Sequence, residues 1–508
     1  MTARPPFLAK LTGRAEPDAT KRRWRRYPID PAAWDELCGA LGTGLDLVSL
    51  WGEPGAVHMA LREGDEAVIV TLPCPSGRYP SVGRLHAPAV RLERAVQDLT
   101  GLVAEGLPDA RPWLDHNRWG VRHPLWSAEP VAADGAPYPF LPVEGEGLHQ
   151  IPVGPVHAGV IEPGHFRFTV NGEAVVRLEQ RLGYAHKGTA ALMTGAPLAH
   201  AGRLAGRISG DSTVAYALAF ALAVEEATGS QVPDRAQWLR GLMAELERLA
   251  NHLGDIGAIA NDAAFAILHA HTGMLREQVL RASHTAFGHR LMMDRIVPGG
   301  VAQDLAAEGR AAIAATVGHI RRVFPKLVEV YDETNSLQDR VVGTGVVRPE
   351  WVNQFATGGF VGRAAGRAFD ARRWAAYAPY HSLTVEPPVF EQGDVNARVW
   401  VRIREVEQSL TLIDRMLETL PSDPILAPLG SGPAAGPETE GAALVESFRG
   451  DVFFWVRVTA EGRVAACHFR DPSWFQWPLL EAAVEANIVA DFPLCNKSFN
   501  CAYSGHDG

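Results

Sequence analysis

Pro124-Leu125-Trp126-Ser127-Ala128-Glu129-Pro130 opens a stretch that repeats proline at 137, 139, 142, 152 and 155. Proline withholds a backbone donor and fixes φ, so neither a helix nor a central strand persists through it. Residues 124–153 therefore read as a Pro-rich linker, and the two sides differ in kind. Upstream, 45–50, 56–61 and 66–72 are short apolar runs separated by the turns Glu53-Pro54-Gly55 and Glu63-Gly64-Asp65, the pattern of adjacent antiparallel strands. A helix over 86–102 follows, with Leu92, Ala95, Val96 and Leu99 on one face. Residues 41–123 thus form a small α+β domain. Residues 1–40, with Lys21, Arg22, Arg23, Arg25 and Arg26 around Trp24, read as an N-terminal arm that docks onto another subunit.

Downstream, residues 154–508 read as mainly helical. A strand pair over 166–170 and 174–178 leads into periodic segments at 214–226, 235–260, 275–287 and 301–332. Val399, Ile403, Val406, Leu410, Ile413, Leu417 and Leu420 then alternate four and three residues apart. That spacing lays one apolar seam along a helix that must pack against another. Prolines at 421, 424, 428, 433 and 437 end it, and a hairpin over 451–458 and 463–469 precedes the tail. The fold class is α+β, a small mixed domain followed by a helical bundle with small β-hairpins.

The composition narrows the function. With 508 residues and 47% hydrophobic content the chain can bury a full core. Its 48 basic and 58 acidic side chains give a net charge of -10, which argues against indiscriminate nucleic-acid binding. The longest apolar run, Val214 to Val224, is well short of the roughly 18 residues that span a bilayer, so membrane contact is expected through partners. No signal-peptide pattern is visible, and a cytoplasmic location is expected. The cysteines, Cys38, Cys74, Cys467, Cys495 and Cys501, include no Cys-x-x-Cys pair, which excludes zinc ribbons and ferredoxin-type cluster motifs.

Several motifs stand out beyond the linker: Gly154-Pro155-Val156-His157-Ala158-Gly159, Glu162-Pro163-Gly164-His165-Phe166-Arg167-Phe168 and Leu182-Gly183-Tyr184-Ala185-His186-Lys187-Gly188. They resemble the opening of membrane-bound nickel-iron hydrogenase large subunits and of the 49-kDa-type subunit of respiratory complex I. Glu245-Leu246-Glu247-Arg248-Leu249-Ala250-Asn251-His252-Leu253, Gly393-Asp394-Val395 and Glu446-Ser447-Phe448-Arg449-Gly450 extend the likeness. Tyr79-Pro80-Ser81-Val82 and the run from Arg91 to Leu102 are similar to the complex I 30-kDa-type subunit. The fusion, in matching order over residues 40–508, resembles the large subunit of hydrogenase-4 and formate hydrogenlyase complexes.

The resemblance assigns roles position by position. The hydrogenases hold nickel and iron with two Cys-x-x-Cys pairs, because soft sulfur ligands stabilise those metals. Here the early pair aligns with Ser209 and Ser212, and the late pair with Ala502 and Gly505. A serine hydroxyl is a hard, weak donor that cannot replace a bridging thiolate, so no nickel-iron centre is expected and hydrogenase activity itself is not expected. Relatives in complex I use the equivalent cavity for a quinone headgroup. His157 and His165 stand for their loop histidines, while Tyr216 or Tyr503 would replace their tyrosine, whose position falls near Gly210. Glu162 matches a proton-relay glutamate and Arg449 an arginine held over the hydrogenase site. Arg203 and Arg207 could face a partner's cluster or be solvated. Asp211 could pair with either of them or cap the following helix.

The expectation is a subunit of a membrane-associated oxidoreductase complex, peripheral on the cytoplasmic side of the cell membrane, moving electrons to a quinone-type or other acceptor in step with ion translocation. The chain would bind no cofactor itself. Its partners would be an iron-sulfur small subunit carrying a proximal cluster and antiporter-like membrane subunits, in a hetero-oligomeric complex without nucleic acid. The alternative is a catalytically silent scaffold joining the same partners.

Overall fold

A computed structural model describes residues 7–8, 24–132, 137–157, 159, 161–430 and 438–508. The upstream strands form a sheet in the order Arg25–Pro28, Glu66–Pro73, Ala56–Glu63, Asp46–Glu53, with the first pair parallel and the rest antiparallel. Gly55 and Gly64 turn the two hairpins at positive φ (78° and 57°), a conformation that costs glycine nothing. Helix Val90–Thr100 packs Leu92, Ala95 and Val96 onto this layer, while Leu99 is half-buried.

The arm reading is corrected over its described part. Arg25–Pro28 is a strand, and Pro31–Ala40 is a helix capped by Asp30, whose carboxylate accepts from the Ala33 amide at 2.8 Å. Trp24 is buried, edge-on to Phe453 at 5.2 Å. Of the positive charges that suggested a docking arm, that of Arg26 is met inside the chain, by Glu440 through two 2.7 Å hydrogen bonds. Such fork-to-carboxylate pairing fixes direction as well as charge. Lys21, Arg22 and Arg23 lie outside the described residues. The linker also differs from expectation at its end: Leu148–Val153 is a strand, paired antiparallel with His165–Asn171. It is the edge of a three-stranded sheet completed by Ala174–Arg181, and an edge is where a proline such as Pro152 is tolerated.

The long helices are Thr213–Thr228, Asp234–Asp262, Ala266–Phe287, Ala307–Glu333 and Val395–Glu418. The seam holds from Val399 to Leu417, all six residues buried, and Leu420 falls beyond the helix end. A strand absent from the sequence reading, Glu438–Glu446, pairs with Asp451–Thr459, which in turn pairs with Val464–Arg470. It starts one residue after Pro437, in a stretch that proline content made look unstructured. The upstream layer and the bundle share one core, in which Leu92 and Trp113 belong with Phe166, Trp477 and Tyr503.

Inside the bundle the motif 245–253 is the anchor of a buried ionic network. Glu405 accepts from Arg363 at 2.5 Å, His252 at 2.7 Å and Arg248 at 3.4 Å. Arg372 bridges Asp370 at 2.7 Å and Glu245 at 3.0 Å. Arg248 also donates to the carbonyls of Glu446 and Ser447, at 3.0 and 3.1 Å. Those bonds hold the turn between Glu438–Glu446 and Asp451–Thr459, and that turn carries Arg449.

Candidate functional site

A cavity of about 590 Å³ opens where the 154–166 loop, the 209–211 turn, the 446–450 turn and the tail meet. His157, Glu162, Ser209, Asp211, Arg449, Ala502 and Tyr503 line it, together with Asn500, Cys501 and Ser504. The network above sets its back wall. Arg449 is buried and donates to both Asp211 oxygens, at 2.8 and 2.5 Å. It also donates to Ser212 Oγ at 3.1 Å and to the Asn500 carbonyl. Burial works against ionisation of Asp211, but the charge of Arg449 and hydrogen bonds from Arg449, Ser209 and Ser212 outweigh it and hold the carboxyl at about 2. Asp211 neither caps the helix nor meets Arg203 or Arg207: the next helix has no side-chain cap, and Arg207 pairs with Asp294 at 2.6 Å.

The Asp234–Asp262 helix secures this corner from below. Asn251 donates to the Asp211 carbonyl at 2.9 Å. Glu247 accepts from the amides of Val214 and Ala215 at 2.7 and 3.1 Å, satisfying free donors at the start of helix Thr213–Thr228. Burial nevertheless pushes its carboxyl up to about 8.

On the opposite wall, His157 places Nε2 at 2.8 Å from the Gly164 carbonyl. A carbonyl only accepts, so Nε2 carries the hydrogen and Nδ1 is the free position. Glu162 accepts from the Ser504 amide at 3.1 Å, which ties the loop to the tail. The Tyr503 hydroxyl is buried, near Asn496, without a hydrogen-bond partner of normal geometry among the described residues, and burial pushes its pKa up. It is a proton donor held in its neutral form.

Two assigned residues are elsewhere. His165 follows the cavity loop but points away, because successive residues of a strand face opposite sides and its neighbour Phe166 takes the cavity side. Tyr216 is fully buried in helix Thr213–Thr228, its hydroxyl donating to Asp471 at 2.6 Å. Ser212 and Gly505 lie behind the wall, Gly505 so close to the Asp471 carboxylate that a Cβ there would clash. In the tail Cys501, Ala502, Tyr503 and Ser504 all line the cavity, so of the two aligned positions Ala502 reaches it and Gly505 does not, while a thiol and a hydroxyl stand one position earlier at Cys501 and Ser504.

A nickel-iron group does not fit this donor set. Four thiolates are needed, and the wall offers one thiol, Cys501, which burial holds protonated. Ser209 Oγ is committed to Asp211 at 2.8 Å. Among the described residues no three His, Cys, Asp or Glu side chains are arranged to hold a metal ion. What the cavity does present is a fixed guanidinium, a neutral phenol, an imidazole and amide-bearing asparagine side chains, a set suited to polarising and protonating oxygen atoms of an organic molecule.

Comparison with known proteins agrees with both halves of the chain. Residues 255–431 match the family described as the 49 Kd subunit of respiratory-chain NADH dehydrogenase, and residues 44–134 the 30 Kd subunit. Formate hydrogenlyase subunit 5 of Escherichia coli is 31% identical over 439 residues, 84% of this chain and 77% of that protein. Hydrogenase-4 component G of the same organism is 30% identical, covering 89% of this chain and 80% of that one. Among solved structures, a chain of the membrane-bound sulfane sulfur reductase, an archaeal respiratory membrane complex, superposes with a TM-score of 0.67 at 26% identity, covering 72% of this chain and 100% of that chain.

Proposed function

The chain belongs to the family of hydrogenase-4-type large subunits and complex I 30-kDa and 49-kDa subunits, and from that premise we propose that it is the acceptor-binding subunit of a membrane-associated oxidoreductase complex, working without a nickel-iron centre. Electrons arrive from a cluster in an iron-sulfur small subunit. A quinone-like or other small acceptor takes them in the 590 Å³ cavity, and antiporter-like membrane subunits move ions in response. The chain sits peripherally on the cytoplasmic side; among the described residues no helix is long and apolar enough to cross a membrane.

The observation that carries this reading is the guanidinium of Arg449, buried at the wall and locked by Asp211 and Asn500. Two-electron reduction of a quinone to its hydroquinone takes up two protons at its oxygens. Arg449 stabilises negative charge developing on one oxygen. His157, when protonated, releases a proton from Nδ1, and the unpartnered Tyr503 hydroxyl is placed to supply the second. Both are general acids within one cavity.

The test is turnover of the purified intact complex with menadione as acceptor and reduced methyl viologen as donor. His157→Ala is expected to lower kcat by about 10²-fold, the lower range for losing a positioned acid, with the complex still assembled. Unchanged turnover would instead mark the chain as a scaffold.

A further inference from the structure

The residue that left the first cavity opens onto a second one. His165 lines a cavity of about 410 Å³ on the other side of its strand, walled by the rings of Tyr138, Phe140 and Tyr184 and by His116. The His165 ring is 8% exposed and sits 5.1 Å from Phe140. Its Nδ1 is 3.3 Å from the Gly154 carbonyl, so Nδ1 carries the hydrogen and Nε2 the lone pair. Among the described residues Nε2 is buried with no hydrogen-bond partner. Burial pulls the pKa of the ring down, which keeps that nitrogen an acceptor at neutral pH. A buried acceptor left unpaired is costly, and here it lies against a space large enough for a ligand.

His116 repeats the arrangement. Its Nε2 is 2.8 Å from the Leu182 carbonyl, which leaves Nδ1 as a second acceptor, and its ring meets Tyr184 edge-on at 4.4 Å. The buried cation in the wall, Arg181, donates three hydrogen bonds to the carbonyls of Pro112, Trp113 and Asp115. Asp115 and Arg118, the remaining charged side chains here, are of opposite sign. The aromatic walls and the two histidine acceptors therefore favour a flat molecule that donates hydrogen bonds.

We propose that this cavity is a second small-molecule site, taking a planar aromatic molecule with an O–H or N–H group that donates to His165 Nε2. The site is independent of the acceptor cavity and of the function assigned to it.

The experiment is calorimetric titration of the full-length protein with 2-naphthol and, separately, 2-methoxynaphthalene, which has the same ring system but no donor. The expected result is about tenfold tighter binding of 2-naphthol, the size of one buried hydrogen bond, and loss of that preference in His165→Phe. Tyr184→Ala, at a ring 38% exposed and so safe for folding, is expected to weaken 2-naphthol several-fold. Equal affinity for the two probes, a preference that survives His165→Phe, or binding unaffected by Tyr184→Ala would each overturn the proposal.

Discussion

Glu405→Gln is expected to destabilise the protein by about 3–5 kcal/mol, the range for removing one charge from a buried pair. Glu405 and its partners Arg363, Arg248 and His252 are at most 1% exposed. Glutamine keeps the shape but leaves two guanidinium groups short of a carboxylate in a place water does not reach. The contrast with Glu446→Gln makes the prediction specific. Glu446 also faces Arg363, at 2.9 Å, yet the network sets four carboxylates, Glu245, Asp370, Glu405 and Glu446, against three arginines, Arg248, Arg363 and Arg372. Burial and the charge of Asp370 push Glu446 up to about 7, so at neutral pH it carries less of the network's negative charge than Glu405, and its amide should cost less. Burial also works against ionisation of Glu405, but Arg363 and His252 hold its carboxyl well below the ordinary range. Its contribution is therefore present above the unfolded carboxylate pKa and fades as pH falls. Thermal midpoints of the two variants, measured side by side, check all of this: equal shifts would contradict the charge assignment.

Arg449→Met is expected to lower turnover with an organic acceptor by about 10²–10³-fold, the size of losing a fixed donor to a developing oxyanion. The methionine stem fills much of the same space while the fork is lost, so Asp211 is released from the cation that pairs with it. In the unmodified protein that pair stabilises the fold above the ordinary aspartate range and weakens as pH falls toward the folded value of about 2. The acid limb of a stability profile from pH 4 down should accordingly flatten in the variant. Arg449→Lys, a charge without the fork, is expected to fall between the two. A variant with full turnover would remove Arg449 from the chemistry.

Much of the fold was readable because its signals are local. The seam from Val399 to Leu417 and the hairpins around Gly55 and Gly64 need only neighbouring residues to declare them. The misses depend on distance. Strand Glu438–Glu446 is defined by its partner Asp451–Thr459, while prolines at 433 and 437 hid it. Arg26 looked like free charge because Glu440, which neutralises it, is 414 residues away.

The site shows the same division. Motif likeness placed His157, Glu162, Arg449 and Tyr503 in one cavity, yet could not say which way a side chain points. For His165 a signal was present: Phe166 and Phe168, two apart, mark the buried face of the strand, so His165 had to face the other side. Tyr216 lies on a helix apolar on every side, where a hydroxyl is held by a distant group, here Asp471. Asp211 resembled a helix cap because its cation, Arg449, is 238 residues on.

The most direct measurement is nickel content and the infrared spectrum of the purified intact complex. One buried thiol, Cys501, and the hydroxyls of Ser209 and Ser504 on a wall where four thiolates would be needed predict no nickel in this chain, and no carbonyl or cyanide bands from a low-spin iron. One nickel per chain accompanied by those bands would contradict the account.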